Sequence, residues 1–308
     1  MTRKEIRPVP LTQCGPSEGE NFEYHWTGES VQAHLLSDVG KKRKRNEDSC
    51  VLCVPEDPDL NAERGMLFAV ADGMGGASAG DFASRLALNV LIDGYYHGPA
   101  GPIPARLRVA LEDANDCIFE ESEVNPERHG MGTTASVVVV VGECAYVAQV
   151  GDSRVYVLRK KDPIFQITDD HSLVAEQVRN GYLSAEEARN HSLKNLITRA
   201  VGIKGTVKVD LFGFRLREED TVLICSDGLS NLVKDDEIAE VLSMDNIQAA
   251  ARILIGRALT EGGTDNITAI LLRVIQPPAA REFDEGVTEA FLPKPGLMGK
   301  VKQLFKRS

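Results

Sequence analysis

The chain has 308 residues, 43% of them hydrophobic, enough to bury one sizeable core, so a single domain with tails is the starting expectation. Acidic residues outnumber basic ones 46 to 35, and the net charge of −11 excludes a general electrostatic attraction to nucleic acid or an anionic membrane. No apolar run of about eighteen residues marks a membrane span, and the basic start MTRKEIRPVPLTQ lacks the apolar stretch of a secretory signal, so a cytoplasmic protein is expected.

Residues 1 to about 30 are polar, rich in Glu, Pro and Gly, and without sustained periodicity, which predicts a flexible N-terminal extension. From residue 31 onward, Val-rich runs bounded by Gly, Asp or Asn predict strands: VQAHLLSD, SCVLCV, MLFAVAD, TASVVVVV, AYVAQV, RVYVLR, VKVDLFGF, TVLICSD and NITAILLRVI. Apolar residues return every three or four positions over 80–96, 104–121 and 235–260, which predicts helices. The helices fall between groups of strands instead of after each one. That order predicts an α+β fold, a central antiparallel β-sandwich with helices on its outer faces. Beyond 276 a linker-like QPPAAREFDEG leads to a tail in which Leu297, Met298, Val301, Leu304 and Phe305 stand at helical spacing with four basic residues from Lys300 on. This reads as a short amphipathic basic segment, either resting on its own domain or docking on a partner or membrane surface.

The six cysteines are scattered and mostly within apolar segments, as expected of reduced buried thiols. Cys50 and Cys53 form a C-x-x-C, but strand-like alternation surrounds them and no second pair completes a zinc site. None of the six histidines pairs at a metal-ligand spacing; His171, after two aspartates, is expected in a local hydrogen-bonding role.

Three carboxylates stand where apolar strands end or begin. MLFAVADGMGG runs into Asp72 and Gly73, TVLICSDGL into Asp227 and Gly228, and in EGGTDNITAI Asp265 and Asn266 precede a strand. Singly, each Asp-Gly reads first as a turn. Three such rims meeting in space would concentrate negative charge, which is unfavourable unless hard divalent cations sit there. In SDVGKKRKRNEDS the five residues Lys41–Arg45 are all basic and give way at once to Asn46, Glu47 and Asp48. A solvated loop or a weak nucleic-acid patch is the ordinary reading. The abrupt change to Glu-Asp instead sets a phosphate-gripping cation beside metal-binding carboxylates, a task that suits arginine's planar fork.

On these residues the chain resembles the metal-dependent protein phosphatase family (PPM, or type 2C), especially its bacterial members. The resemblance spans about 31–275, with seven motifs in family order: GKKRKRNED, FAVADGMGG, GMGTTAS, VGDSRVY, ITDDHS, CSDGLSNLV and GGTDNITAI. It implies a catalytic domain over that range, followed by the tail of 276–308, and hydrolysis of phosphoserine and phosphothreonine on proteins by metal-activated water, in signalling against a Ser/Thr kinase. It further implies two to three Mn2+ or Mg2+ ions, with Asp72 bridging two of them, the Gly73 carbonyl on one, and Asp227 and Asp265 on the other. Asp152, together with Asp227, would bind a third. Arg43 would bind phosphate, while Glu47, Asp48 and Thr134 would hold metal-bound waters; Arg43, Glu47 and Asp48 are the candidate catalytic side chains. Residues of about 169–202 look like the family's flap beside the active site.

Two departures stand out: Met74 where many eukaryotic members have a histidine, and Asn231 where many relatives have Asp. Asn231 can still accept a hydrogen bond from a metal-bound water. A monomer acting on phosphoproteins, with no nucleic-acid partner, is the expectation. The competing reading, a catalytically weak module that binds a phosphoprotein or kinase with the same fold, predicts missing metal ligands, yet Asp72, Asp227, Asp265 and Arg43 are all present.

Overall fold

Strand residues alternate between two faces, and in this chain most central strands carry apolar side chains on both, which commits them to burial between layers. The computed structural model describes residues 11–17, 20–75, 79–160, 162–276 and 279–289. One sheet orders β1 (Thr12–Gly15), β4 (Asp48–Cys53), β5 (Met66–Met74), β7 (Ala135–Val141), β8 (Cys144–Val150), β11 (Asp210–Arg215) and β14 (Thr288–Glu289), with β6 (Gly132–Thr133) paired to β5. The other orders β10 (Phe165–Gln166), β9 (Arg154–Leu158), β12 (Thr221–Cys225), β13 (Ile267–Val274), β3 (Val31–Asp38) and β2 (Phe22–Thr27). All these pairings are antiparallel except that of β11 with β14.

Three apolar clusters define the layers. Val51, Leu67, Ala69, Val137 and Val139 face Leu88 and Leu91 of α2 (Ala79–His97) and Leu107 of α3 (Ile103–Val124). Between the sheets, Leu35, Leu52, Phe68, Val138, Ile224 and Ile270 interdigitate. Leu223, Cys225 and Leu271 meet Ile238 of α7 (Asp235–Leu242) and Leu254 of α8 (Ile247–Thr260). The architecture is the α+β sandwich with helices on both outer faces that the strand and helix order implied. Among the described residues there are also four shorter α-helices, α1 (Pro58–Arg64), α4 (Leu173–Arg179), α5 (Ala185–Arg189) and α6 (Asp227–Ser230), and one 3-10 turn, Pro126–Arg128.

Several expectations change in detail. The helical repeat of 235–260 is two helices, because Asn246 starts α8 by accepting a hydrogen bond from Ala249 N at 2.9 Å. Residues within the expected N-terminal extension form β1 and β2, which pair with β4 and β3. Phe22, Tyr24 and Trp26 of β2 alternate with polar residues and pack against the inter-sheet cluster. Cys50 and Cys53 lie on opposite faces of β4, Cys50 between the sheets and Cys53 under α2, so the C-x-x-C cannot grip one ion. None of the six cysteines forms a disulfide among the described residues.

The expected linker is also partly structured. Phe283 and Val287 pack on the α2–α3 cluster, and Phe283 meets Tyr146 edge-on at 5.5 Å. Asp284 accepts from Ile103 N at 2.8 Å, capping the start of α3, while its own N–H donates to the Tyr146 hydroxyl at 2.9 Å. Residues 279–289 thus strap the first sheet to α3. The amphipathic pattern of Leu297 to Phe305 lies outside the described residues.

The strap predicts a graded set of stabilities in denaturant titrations. Asp284→Ala, losing a cap, lowers unfolding free energy by about 1 kcal/mol. Phe283→Ala costs about 2 kcal/mol. Glu282→Ala leaves stability unchanged, since that side chain is fully exposed and only rim-paired with Arg215.

Candidate functional site

Inside the sandwich, side chains on successive same-face positions turn from apolar to polar at one end. Phe68 and Val70 of β5 are followed by Asp72; Ala33 and Leu35 of β3 by Ser37; Val222 and Ile224 of β12 by Ser226. Read toward the same end, β4 passes from Leu52 and Cys50 to Asp48, β13 from Leu272 and Ile270 to Thr268, and β7 from Val140 and Val138 to Ser136. These polar groups satisfy one another. Ser37 and Thr268 hydroxyls lie 2.7 Å apart, Ser136 donates to Gln149 at 2.6 Å, and Thr134 shares a 2.7 Å hydrogen bond with Ser153.

Carboxylates occupy this polar mouth. Asp48 and Asp72 are direct partners in the β4–β5 ladder. Oδ2 of Asp48 accepts from the Ser226 and Thr268 hydroxyls of the opposite sheet at 2.8 and 2.6 Å. Asp72 is fixed through its backbone, whose N–H donates to Thr134 Oγ1 and whose carbonyl accepts from Thr134 N, both at 2.9 Å. Asp227 opens α6 and accepts from Asn231 Nδ2 at 2.9 Å. Asp265 accepts from Arg43 Nη2 at 2.8 Å, and Arg43 Nη1 lies 3.8 Å from Glu47. Asp152 sits buried in the turn from β8 to β9.

The two Asp-Gly pairs are no ordinary turns. A Cβ at Gly73 would stand 2.1 Å from the Gly80 carbonyl oxygen and 2.6 Å from that of Glu47; one at Gly228 would stand 1.9 Å from that of Asn266. Glycine is required because other backbone passes against it, which draws Asp72 toward Glu47 and Asp227 toward Asp265.

Electrostatics confirm that these carboxylates feel each other. Burial pushes Asp48 up to about 7, with Asp227 and Asp265 adding to the shift while the two hydroxyls oppose it. Burial and then Asp265 push Asp227 up to about 6. Asp72 is raised well above the carboxylate range by burial and then by Asp48, Asp227 and Asp152; Asp152 is raised by burial and then by Asp227. Glu47 is raised by burial against the pull of Arg43. Two buried oxygens, Oδ1 of Asp48 and Oδ1 of Asp152, have no hydrogen-bond partner. Crowded, orphaned oxygens without imidazole or thiolate among them fit a hard divalent cation. Among the described residues no three His, Cys, Asp or Glu side chains close into a ready cage. Carbonyl and water ligands would therefore have to supply much of the coordination.

The stretch 169–202 carries α4 and α5 and is moored by groups that sequence reasoning did not single out as anchors. Arg154 grips Asp170 through Nε and Nη2, the shortest contact being 2.6 Å. His171, buried, accepts from Gly151 N at Nδ1 over 3.0 Å, which leaves the proton on Nε2 facing Asp210 at 3.0 Å. Arg199 donates to the other Asp210 oxygen at 2.8 Å. Burial would raise Asp210, but the His171 hydrogen bond and the Arg199 charge hold it well below the ordinary range. His171 makes hydrogen bonds, but not the local ones expected of it: its side-chain partners Gly151 and Asp210 lie far away in sequence, brought to it by the fold. The run ITDDHS signalled the site; its mooring to Asp210 and Arg199 needed the fold.

Comparison with known proteins places this geometry. The protein phosphatase 2C sequence profile matches residues 41–251. The chain is 37% identical over 247 residues to the serine/threonine phosphatase stp of Listeria innocua, covering 79% of this chain and 95% of that protein. It resembles the crystal structure of the Mycobacterium tuberculosis serine/threonine phosphatase PstP/Ppp with a TM-score of 0.71 and 34% identity, over 80% of this chain and 100% of that one. A PstP catalytic domain solved in complex with two manganese ions matches with a TM-score of 0.69 and 35% identity, over 80% and 99% of the two chains.

A pH dependence follows from the crowded carboxylates. Asp48, Asp72, Asp152 and Asp227 have native values above the unfolded one of about 4, so the folded chain holds extra protons between about pH 4 and 7. Stability of the chelator-treated protein therefore falls as pH rises through that window. Melting curves should give a higher Tm near pH 5 than near pH 8, and Mn2+ should raise the Tm by about 5 °C or more near pH 8 and by less near pH 5.

Proposed function

The chain belongs to the protein phosphatase 2C family and is a metal-dependent serine/threonine protein phosphatase acting on phosphoproteins, and from that premise we propose that its polar mouth holds two or three Mn2+ or Mg2+ ions. Asp72, the Gly73 carbonyl, Asp227 and Asp265 would hold the central pair, and Asp152 with Asp227 a third. When bound, such cations supply the Lewis acidity that brings water toward ionisation near neutral pH and offsets phosphoryl charge. The observation that carries this reading is the set of aspartates brought together from separate strand ends, with buried oxygens of Asp48 and Asp152 left unpartnered and with burial and mutual repulsion raising Asp48, Asp72 and Asp227 above the ordinary carboxylate range, a crowding that cation binding would relieve.

The chain's own residues do the rest. Asp48, with one oxygen bolted to Ser226 and Thr268 and the other unpartnered, presents a fixed acceptor to a water. Glu47 lies on the Arg43 side and shares that task. The Thr134 hydroxyl accepts from Asp72 N and shares a hydrogen bond with Ser153, so it fixes the Asp72 backbone and keeps one hydrogen-bonding position for a metal-bound water. Asn231 spends its amide N–H on Asp227 and keeps its oxygen free to accept from water. Arg43 is half exposed, and its pairing with Asp265 aims the guanidinium at the carboxylates, where it can fork onto two phosphate oxygens. The moored stretch 169–202 would serve as the flap, with Tyr182, Leu193 and Leu196 exposed for protein substrates.

Because the reaction consumes phosphoserine and phosphothreonine, a Ser/Thr protein kinase must stand opposite it. Exposed large apolar residues are spread over different elements, as in a monomer. Among the described residues no helix is long and apolar enough to cross a membrane, and six cysteines without a disulfide among the described residues suit a reducing cytoplasm.

Hydrolysis of a phosphothreonine peptide with Mn2+ should stop on chelation, and Asp227→Ala should lower turnover by about two orders of magnitude or more; equal rates for wild type and variant would reject the assignment. Arg43→Ala should raise KM for the peptide by about tenfold, with Arg43→Lys only partly restoring it because a point charge cannot fork.

A further inference from the structure

Phosphate binding uses only one of the five consecutive cations at 41–45. All five side chains are exposed. Arg43 turns to Asp265, but among the described residues Lys41, Lys42, Lys44 and Arg45 have no carboxylate within ion-pair distance. Four cations without a contact ion pair stand in one short loop of a chain of net charge −11, Arg45 alone of them close enough for its charge to act on Glu47.

The loop is also stapled in place. Asn266, buried beside Asp265, donates from Nδ2 to the Val39 and Arg45 carbonyls at 2.9 Å each and accepts from Glu47 N at 2.9 Å, so one side chain ties both ends of the loop to the site. Lys41 N donates to the Gly263 carbonyl at 2.8 Å, closing the loop against the residues that lead into Asp265. A basic loop kept only for solubility needs no such bracing. Bracing fixes where the cations stand, lowering the ordering cost of gripping an extended anionic ligand.

We propose that Lys41, Lys42, Lys44 and Arg45 form a docking strip for acidic side chains flanking the phosphorylated residue, so that the enzyme's favoured substrates are phosphoproteins with Asp- or Glu-rich surroundings. The proposal rests on the phosphatase reading and extends it from the phosphate to its neighbours. Arg43 meets the phosphate, so residues on either side of the phosphosite pass cations within a Debye length of about 8–10 Å. Each exposed pair contributes modestly, but several in register give selectivity.

The experiment uses the full chain with Mn2+ and three substrates: p-nitrophenyl phosphate, a phosphothreonine peptide flanked by Asp and Glu, and the same peptide flanked by Ser and Gly. Wild type should show a KM about tenfold lower for the acidic peptide, an advantage that shrinks as salt is raised. The variant carrying Lys41→Ser, Lys42→Ser, Lys44→Ser and Arg45→Ser should lose that preference while hydrolysing p-nitrophenyl phosphate as wild type does. Single Lys44→Glu, with an unchanged melting curve, should weaken the acidic peptide alone. A parallel loss on all three substrates would overturn the proposal in favour of general anion steering. Absence of any peptide preference in wild type would also overturn it, as would salt-sensitive oligonucleotide binding without that preference, which would assign the strip to nucleic acid. Failure of wild type to hydrolyse p-nitrophenyl phosphate at all would instead strike the phosphatase reading itself.

Discussion

The structure depends on one electrostatic burden: several carboxylates are forced together at the mouth of a β-sandwich whose remaining interior is apolar. Burial strips these carboxylates of water and their like charges add to the cost of ionising, which is why Asp48 and Asp227 are raised to about 7 and about 6. A fold that carries such a burden either relieves it with cations or gives up stability as pH rises. Much of the local architecture serves to keep the carboxylates there. Hydroxyls reach from one sheet to an aspartate of the other, and glycines let backbone segments pass within contact of the strand ends.

Positioning of Asp48 and Asp72 comes from the strands, while Arg43, Asp152 and Asp265 stand on the loops and turns that join them. Asp72, Asp48 and Thr268 occupy interior-facing strand positions, so the same alternation that packs Phe68 and Ile270 aims the polar groups. The flanking helices contribute apolar weight, burying Leu88, Leu91 and Leu107 on one side and Ile238 and Leu254 on the other. Two segments outside the sandwich proper then lock its ends. The strap around Phe283 and Asp284 holds α3 to the first sheet, and the His171–Asp210–Arg199 linkage moors the stretch beside the mouth.

The sandwich was legible in the sequence because its strands carry period-two or continuously apolar runs and its long helices a clear three-to-four repeat. Asp72, Asp227 and Asp265 were legible for a related reason, each standing where an apolar run breaks. Strand β2 was readable and overlooked: Phe22, Tyr24 and Trp26 alternate with Glu23 and His25, but a polar setting masked six residues of signal. β1 is too short to show a period, and its pairing with β4 is a matter of tertiary contact. The break between α7 and α8 hid inside a continuous apolar rhythm, with only Asn246 to mark it. The anchoring of Asp170 by Arg154 and of His171 by Asp210 joins residues far apart in the chain, and periodicity carries no information on such pairs. Asp48 lay within a recognised motif, yet its union with the opposite sheet through Ser226 and Thr268 could be seen only once the sheets were stacked.

The most direct test of the account is anomalous scattering from a crystal of this protein grown with manganese. Two strong peaks bounded by Asp72, Asp227 and Asp265, with the Gly73 carbonyl turned toward one of them, are the predicted result. Manganese elsewhere on the surface, with those carboxylates hydrogen-bonded to protein and no ion between them, would contradict it.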